Sequence, residues 1–276
     1  MVKARRIPLS KMRDMSDSGI FVKHFGAEHK VAMKTYAHRD DYYLFVLLTK
    51  GTAAIDIDFE RTELSAGDVL IGLPDQVHRV PAGENFQVDG WLIALSPEFL
   101  SDEEVCLIEE SAVSSAVVRP ASDMARDINT LCSMLEKYGH DRRVFPALVS
   151  AIKSFMLSTL DTSADVTSGR YKTITMHLRK LLALFLPREK SPSVYASMLN
   201  ISEVYLNEAV KCATGMSAGA YIRNRVIVLA KRQLAYTSLS AKEIACALGY
   251  YDYAYFSKLF KKYTGLSPSD YRKNLK

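Results

Sequence analysis

Three side chains in the first third of the sequence have the chemistry of metal ligands. His38 and Asp40 stand two residues apart, and His78 follows later in another β-rich segment. Imidazole and carboxylate groups bind zinc and iron, so these residues suit either a metal site or a polar patch that contacts a small ligand. Nothing in the sequence resembles a nucleophile paired with its base or a glycine-rich phosphate-binding loop.

Positive charge is concentrated in the C-terminal part of the chain. The whole sequence carries a net charge of +5. Residues through Gly169 contain 18 Lys and Arg against 25 Asp and Glu, a net of −7, whereas residues from Arg170 onward contain 18 against 6, a net of +12. This asymmetry favours a polyanionic partner for the second part, and the polar segment 161–169 is its predicted linker to the first.

An internal repeat with an offset of 50 residues lies within the basic part. Ser202–Ser217 aligns with Asp252–Ser267 without a gap. The identical pairs include Tyr205/Tyr255, Lys211/Lys261, Thr214/Thr264, Gly215/Gly265, Ser217/Ser267 and Tyr221/Tyr271. The same offset extends upstream, where it places Val194 on Ile244 and Met198 on Leu248. The shared register of caps and terminal glycines predicts two copies of one unit rather than two unrelated helical hairpins.

Each copy has the pattern of two short helices joined by a tight turn, which is the helix-turn-helix arrangement. Ser240 and Asp252 are the predicted N-caps of the second copy, and Ser193 and Ser202 take these roles in the first. A longer helix is predicted between the copies at about 218–236. Its nineteen residues would span ~28 Å, close to the ~34 Å between successive major-groove faces of a duplex, so one chain can reach adjacent grooves.

The second helix of each copy has a buried stripe and an outer face. The predicted buried residues are Leu206, Ala209 and Val210 in one copy and Phe256, Leu259 and Phe260 in the other. The outer residues, which would face a major groove, are Val204, Asn207, Glu208, Lys211, Tyr253, Ala254, Ser257, Lys258 and Lys261, and Lys262 completes a lysine cluster. Because Glu208 would repel phosphate, the second copy is expected to bind DNA more strongly.

The N-terminal part reads as short strands followed by helices. Residues 42–48, 52–59, 69–71, 77–80 and 86–95 have strand patterns separated by turn residues, which favours an antiparallel sandwich or small barrel. Two amphipathic helices are then predicted, one capped by Ser122 or Asp123 and ended by Gly139, the other at about 142–160. Their apolar faces would pack on each other, on the barrel or across a dimer axis.

The sequence of the second copy is similar to that of a known protein family. Ile244–Arg272 closely resembles the C-terminal signature of the AraC/XylS family of bacterial transcription regulators, and Ala230–Leu234 is similar to its linker helix. The resemblance covers about Tyr171 to Arg272 and implies a double helix-turn-helix DNA-binding domain behind a ligand-sensing or dimerising domain. The base-reading positions it implies are Val204, Asn207, Glu208, Tyr253, Ala254, Tyr255 and Lys258. Glu208 stands where the family often has arginine, although a carboxylate can accept from cytosine N4.

The N-terminal part resembles the cupin-like sensor of many such regulators, through the Gly67–Asp68 turn and the Pro74–His78 pattern. Cupins often hold a metal through a second histidine two residues after the first and a glutamate farther on. Asp40 and then Tyr42 or Tyr43 stand at those places, so neither a metal ion nor a cofactor is expected. The residues predicted to contact a small ligand are His38, Arg39, Tyr43, His78 and Trp91.

Composition excludes several classes of protein. The longest apolar runs, 42–48 and 181–186, are far shorter than the ~20 residues of a membrane-spanning helix. The start has basic residues without an apolar block behind them, so no secretory signal is expected. Four scattered cysteines with no Cys-x-x-Cys pair fit a reduced compartment, and the cytoplasm is the expected location.

The expected protein is therefore a non-enzymatic, sequence-specific DNA-binding regulator of α+β class. Residues 1–165 would form a cupin-like effector-binding or dimerisation domain, with the barrel at about 20–96 and helices at about 97–162. Residues 166–276 would form the DNA-binding domain, with helix-turn-helix motifs at about 192–213 and 241–263. Double-stranded DNA, a small-molecule effector, a second copy of the chain and RNA polymerase are the candidate partners.

Two enzymatic alternatives follow from the same residues. A cupin-type metalloenzyme with an appended regulatory helical domain would use the histidines of the front part. A repair methyltransferase would need an activated thiolate, but Cys212 and Cys246 lie on helices assigned to DNA binding or its support, which makes that alternative remote.

Overall fold

The structure of the chain is a computed structural model that describes residues 6–26, 34–81, 87–160 and 169–275. The chain divides into two compact units, Pro8–Ser163 and Ala164–Lys276, the second of which also includes Met1–Ile7. The predicted linker at 161–169 lies outside the described residues except for Gly169. No helix in the described part of the chain is both long and apolar enough to cross a bilayer.

The strands described in the N-terminal unit form two five-stranded sheets. Their bounds are β1 Leu9–Ser10, β2 Ile20–Phe25, β3 His38–Asp40, β4 Tyr43–Lys50, β5 Thr52–Ile57, β6 Glu60–Ser65, β7 Val69–Gly72, β8 Val77–Arg79, β9 Asp89–Leu95 and β10 Val117–Val118. One sheet has the order β1-β3-β8-β5-β6 and the other β10-β7-β4-β9-β2. Every strand pair is antiparallel except β1 with β3, which is parallel and departs from the all-antiparallel expectation.

The central strand β4 is apolar on both faces. One face therefore packs toward the other sheet, and the opposite face is covered by a helix. Leu44 and Leu48 point into the space that the sheets enclose, where they line a cavity. Phe45 and Leu47 alternate with them and are buried on the opposite face. That outer face is covered by a helix, which contacts β4, β9 and β2. A strand buried on both sides loses the polar-apolar alternation of a half-exposed strand.

Three α-helices are described after β9 in this unit, and β10 lies between the first two: α1 Asp102–Ser114, α2 Ser122–Tyr138 and α3 Phe145–Ser158. Helices α2 and α3 were both predicted, and they pack on each other while α2 also packs on the sheet. Helix α1 was not predicted, although its Ser101 and Glu104 form a capping box. The capping role predicted for Ser122 is wrong, because the helix begins at Ser122 itself and its N-cap is Ala121, without a side-chain hydrogen bond.

All the secondary-structure elements described in the second unit are helices joined by turns. Its helices are α4 Gly169–Phe185, α5 Pro192–Met198, α6 Glu203–Thr214, α7 Ala218–Tyr236, α8 Ala241–Ala247, α9 Tyr253–Thr264 and α10 Pro268–Asn274. Their apolar faces share one core, in which Tyr195, Leu206, Ile244, Phe256 and Phe260 are fully buried. The 19-residue helix α7 lies where a linker helix was predicted, and Ser217 caps it.

The second helices of the two copies correspond residue for residue at the offset of 50, but the segments upstream of the turn do not. Helices α6 and α9 have 12 residues each, and Gly215 and Gly265 follow them with φ values of 73° and 78°. Upstream, however, the buried pair Tyr195–Ala196 corresponds to Ile244–Ala245. In each pair the alanine carbonyl oxygen accepts a hydrogen bond from the backbone N–H of the residue five positions later. The predicted pairing of Val194 with Ile244 is therefore wrong by one residue, since the second turn is one residue longer.

The same shift corrects a predicted cap. Helix α5 begins at Pro192, and its N-cap position is Ser191 rather than the predicted Ser193. Ser202, Ser240 and Asp252 do cap α6, α8 and α9, as predicted, each accepting from a backbone N–H of the first turn.

Candidate DNA-binding surface and ligand cavity

Helix α9 presents a basic outer face that is fixed by capping and by an apolar inner face. Asp252 accepts hydrogen bonds from the backbone N–H groups of Ala254 and Tyr255, which begins the helix. Phe256 and Phe260 anchor the inner face at 0% exposure. Of the residues predicted on the outer face, Ala254, Tyr255, Lys258, Lys261 and Lys262 are exposed, while Tyr253 is half-buried against the core. The exposed part combines amine groups for phosphate with N-terminal positions for base edges.

Lys258 is the most informative of these lysines. Lys261 and Lys262 lie in the last turn of α9, where a cation is also favourable because of the helix dipole. Lys258 lies one turn earlier and is exposed, so the dipole gives it a weaker structural role. A DNA-binding role is therefore easiest to isolate at Lys258.

Helix α6 has a less basic outer face, as expected from its sequence. Val204 is 70% exposed, and Glu208 and Lys211 are exposed beside it. Asn207 is half-buried, and its Oδ1 accepts a hydrogen bond of 3.0 Å from the backbone N–H of Ala218. The Asn207 side chain thus connects α6 to the start of α7, which gives it a structural role beside the predicted base contact.

An aromatic and cationic group next to the turn of the second copy was not predicted. Tyr251 is fully exposed. Tyr250 stacks on Tyr255 with ring centroids 6.0 Å apart, and Lys190 Nζ lies 4.8 Å from the centroid of the Tyr250 ring. Burial raises the pKa of Tyr250 to about 12, so its hydroxyl stays protonated at neutral pH. The Tyr-Tyr dipeptide after Gly249 was the signal that could have drawn attention to this surface.

The N-terminal unit contains a cavity of about 310 Å³ between its two sheets. This volume is near the lower end of the ~300–1,000 Å³ range of small-molecule sites. Most of the lining is apolar and includes Phe21, Phe25, Leu44, Val46, Leu48, Ile55, Leu64, Leu70, Val88 and Leu92. The polar side chains of the lining are Lys23, Lys34, His38, Asp40, Tyr42 and His78. The cavity therefore suits a small, largely apolar molecule.

The two histidines predicted as ligand contacts come together with Asp40 in the cavity wall. His38 and His78 are directly opposite each other on the paired strands β3 and β8, with ring centroids 4.3 Å apart. His78 Nε2 lies 3.3 Å from Asp40 Oδ2, and His38 Nε2 lies 3.9 Å from Asp40 Oδ1. Burial lowers the pKa of His38 to about 4, helped by the nearby His78, and burial also lowers the pKa of His78. Both rings are therefore biased toward the neutral form.

The other three predicted ligand contacts do not line the cavity. The guanidinium of Arg39 forms an ion pair with Asp75. The Tyr43 hydroxyl lies 3.4 Å from Glu109. Trp91 donates from Nε1 to Asn129 Oδ1 on α2 at 2.7 Å, because it points to the outer face of β9 while Leu92 points to the cavity. Lys34, Tyr42 and Asp40 occupy the polar positions in their place.

Comparison with known proteins matches each of the two units to a protein family. Residues 195–274 match the helix-turn-helix domain family, and residues 26–151 match the family of AraC-like ligand-binding domains. The regulatory protein SoxS of Escherichia coli K12 is 35% identical over 82 residues, which cover 30% of this chain and 77% of SoxS. The chain belongs to the AraC family.

Two further similarities accompany this AraC-family regulator. The Msm operon regulatory protein of Streptococcus mutans is 23% identical over 274 residues, or 95% of each chain. The C-terminal domain of AraT, a response regulator from Geobacillus stearothermophilus, is 31% identical and covers 37% of this chain and 84% of that one, with a TM-score of 0.35. The ligand-binding match encloses the β3–β9 segment that carries the cavity polar group, and the helix-turn-helix match encloses both α6 and α9. The chain is thus a transcriptional regulator with a ligand-binding and a DNA-binding part, and the metalloenzyme alternative has no support.

Proposed function

We propose that the chain is a dimeric, cytoplasmic, non-enzymatic regulator that binds operator DNA through both helix-turn-helix copies. Residues 1–165 sense a small molecule, and residues 166–276 bind DNA, with RNA polymerase as a further protein partner. The observation that supports this most strongly is the duplicated, capped helix whose second copy exposes Lys258, Lys261 and Lys262 over an anchored aromatic inner face. Helices α6 and α9 enter consecutive major grooves, and α9 supplies most of the affinity.

The basis for two-groove binding is the length of the connecting helix. Helix α7 has 19 residues, which corresponds to ~28 Å. The ~34 Å that separates successive major-groove faces is close to that span. The difference is small enough for the side chains of two recognition helices to bridge.

The packing of α2 gives a route from the cavity to the rest of the protein. Strand β9 lines the cavity with Leu92, and the adjacent Trp91 is hydrogen bonded to Asn129 of α2. A molecule that moves β9 would also move α2 through this bond and the packing of α2 on the sheet. We propose that the arrangement of α2 and α3 in turn controls dimerisation. A ligand can shift such an equilibrium only by its differential affinity for the two arrangements.

Binding of full-length protein to fluorescent duplexes tests the proposal. The target duplex is selected from a random-sequence pool by the protein itself, and a scrambled duplex of equal composition is the control. We expect clear preference for the selected duplex and a steep fall in affinity as salt increases, because phosphate-bound counterions are released. Equal affinity for both duplexes would contradict sequence-specific binding.

Substitution Lys258→Ala is expected to weaken binding to the selected duplex by ~1–3 kcal/mol, measured by fluorescence anisotropy. If Lys258 contacts a base, preference is relaxed at one position. Lys50→Ala is the matched control, because Lys50 is also exposed but belongs to the N-terminal unit. An equal loss on every sequence would assign Lys258 to phosphate, and no loss at all would remove it from the interface.

Substitution Glu208→Gln is expected to have the opposite effect. Removing a carboxylate near phosphate relieves repulsion worth on the order of 1 kcal/mol, so affinity for any duplex should rise several-fold at low salt. Glu203→Gln, also an exposed glutamate of α6, provides the comparison for a charge at the helix start. A loss of affinity confined to duplexes with one particular cytosine would instead identify Glu208 as a base-reading residue.

A further inference from the structure

The polar group in the cavity wall places three hydrogen-bond acceptors against one another. His38 and His78 face each other across β3 and β8, and Asp40 lies two residues after His38 on the same side of β3. One ligand atom from each residue lies within 4.8 Å of the others. All three residues are buried, so bulk water does not screen their mutual repulsion.

Hydrogen bonds to the backbone determine which nitrogen of each ring is left to face Asp40. His38 Nδ1 lies 3.1 Å from the carbonyl oxygen of Tyr36, two residues earlier. Because that oxygen only accepts, Nδ1 carries the proton and Nε2 of a neutral ring presents its lone pair to the cavity. His78 has a similar arrangement, since its ring bonds to the backbone of Gln76 and its Nε2 points at Asp40. Metal-binding histidines are commonly held by such bonds.

One carboxylate oxygen of Asp40 lacks a hydrogen-bond donor. Asp40 is only 2% exposed, and its Oδ1 has no hydrogen-bond partner. An unpaired buried carboxylate oxygen is costly, more so than a neutral acceptor. Lys34 supplies a positive charge that lowers the pKa of both histidines, and its Nζ donates to Ser10 Oγ at 2.5 Å. Lys34 offsets part of the negative charge and reduces cation affinity, but Asp40 Oδ1 still lacks a donor.

We propose that His38, Asp40 and His78 form a binding site for one divalent transition-metal ion in the cavity wall. Two ligands at ~2.0–2.1 Å from a tetrahedral zinc ion stand ~3.4 Å apart. His78 Nε2 lies 3.3 Å from Asp40 Oδ2, and His38 Nε2 lies 3.9 Å from Asp40 Oδ1. Because the three ligand atoms lie within 4.8 Å of one another, the side chains close by up to about 1.4 Å around an ion. Two imidazoles and one carboxylate suit Zn²⁺, Fe²⁺, Ni²⁺ or Co²⁺, and the remaining coordination positions face the cavity. No metal was expected from the sequence, because the spacing of these residues departs from the cupin pattern.

Cobalt binding to the full-length protein tests this site directly. Chelator-treated protein is titrated with Co²⁺, whose visible absorption reports coordination, and stoichiometry is measured by calorimetry. We expect one Co²⁺ per chain in the wild type and a loss of affinity on the order of 100-fold in Asp40→Asn and in His78→Gln. His24→Gln is the matched control, because His24 pairs with Asp89 in a histidine–carboxylate pair outside the cavity lining. Binding that is absent, or unchanged in Asp40→Asn, would overturn the proposal.

Thermal stability provides a second readout that does not depend on DNA binding. In chelator, Asp40→Asn should melt at or above the wild-type temperature, because the amide removes a buried negative charge. In excess Zn²⁺ the order should reverse, since an ion that binds only the folded wild-type protein stabilises it. The unfolding is followed by the fluorescence of Trp91, the only tryptophan and a residue of this unit. A wild-type Tm that Zn²⁺ leaves unchanged would contradict the metal site while leaving the DNA-binding proposal intact.

Discussion

Replacing Phe256 with alanine is expected to destabilise the helical unit by ~3–5 kcal/mol. Phe256 is fully buried and touches both the second copy of the repeat and the turn before it, since its ring centroid lies 5.4 Å from Tyr250 and 6.1 Å from Phe260. Truncation leaves a cavity that these aromatic rings fill only in part. Because native proteins are in general only marginally stable, a loss of this size is expected to remove a large share of the unit's stability.

The measurement uses two probes in one urea titration of the full chain. Circular dichroism at helical wavelengths reports mainly the helical unit, and Trp91 fluorescence reports the N-terminal unit. The Phe256→Ala variant should shift the helical transition to lower urea. Leu184→Ala is the matched control, because Leu184 lies in the same unit but is 71% exposed, and its truncation should change stability by less than ~0.5 kcal/mol. An unshifted helical transition in Phe256→Ala would mean that the inner and outer faces of α9 are assigned the wrong way round.

Replacing Gly249 with alanine is expected to cost ~2–5 kcal/mol. Gly249 follows α8 with a φ of 76°, a left-handed conformation that alanine adopts at a penalty. In addition, a Cβ there would lie 1.9 Å from the carbonyl oxygen of Pro187, which is a backbone atom. The turn between α8 and α9 would have to move, and recognition helix α9 would move with it.

Gly265→Ala separates the two causes. Gly265 has almost the same φ, 78°, but a Cβ there meets nothing within 4 Å. It should therefore show only the conformational penalty of ~1–2 kcal/mol, and the excess in Gly249→Ala measures the steric contact with Pro187. Equal melting temperatures for the two variants would show that the backbone around Pro187 moves away from the new Cβ without a loss of folding free energy.

Much of the helical unit was predictable because its signals are local. Ser202, Ser240 and Asp252 carry their own capping interactions, and the spacing of Phe256 and Phe260 identifies an inner face without knowledge of the rest of the fold. The one-residue difference between the two turns was missed because a single offset of 50 was applied to the whole repeat. Upstream of the turn, the identical pairs Ala196/Ala245 and Leu199/Leu248 align at an offset of 49. Helix α1 was missed although its capping box was present in Ser101–Glu104, since no amphipathic pattern of comparable strength followed it.

The cavity was harder to predict because its lining depends on which way each strand faces. Strand β9 is apolar on both faces, so periodicity could not decide whether Trp91 or Leu92 points inward. His38 and His78 were selected for their chemistry and do line the cavity. Asp40 was considered only as part of a sequence spacing, whereas its importance comes from the pairing of β3 with β8, which is a long-range contact.

Guanine methylation interference on the selected duplex tests the central claim most directly. If α6 and α9 occupy consecutive major grooves, interfering guanine N7 positions fall into two groups about 10 bp apart on one face of the DNA. The Lys258→Ala variant should weaken interference in one group and leave the other in place. A single contiguous group, or interference on opposite faces of the duplex, would contradict binding by two duplicated helical hairpins of one chain.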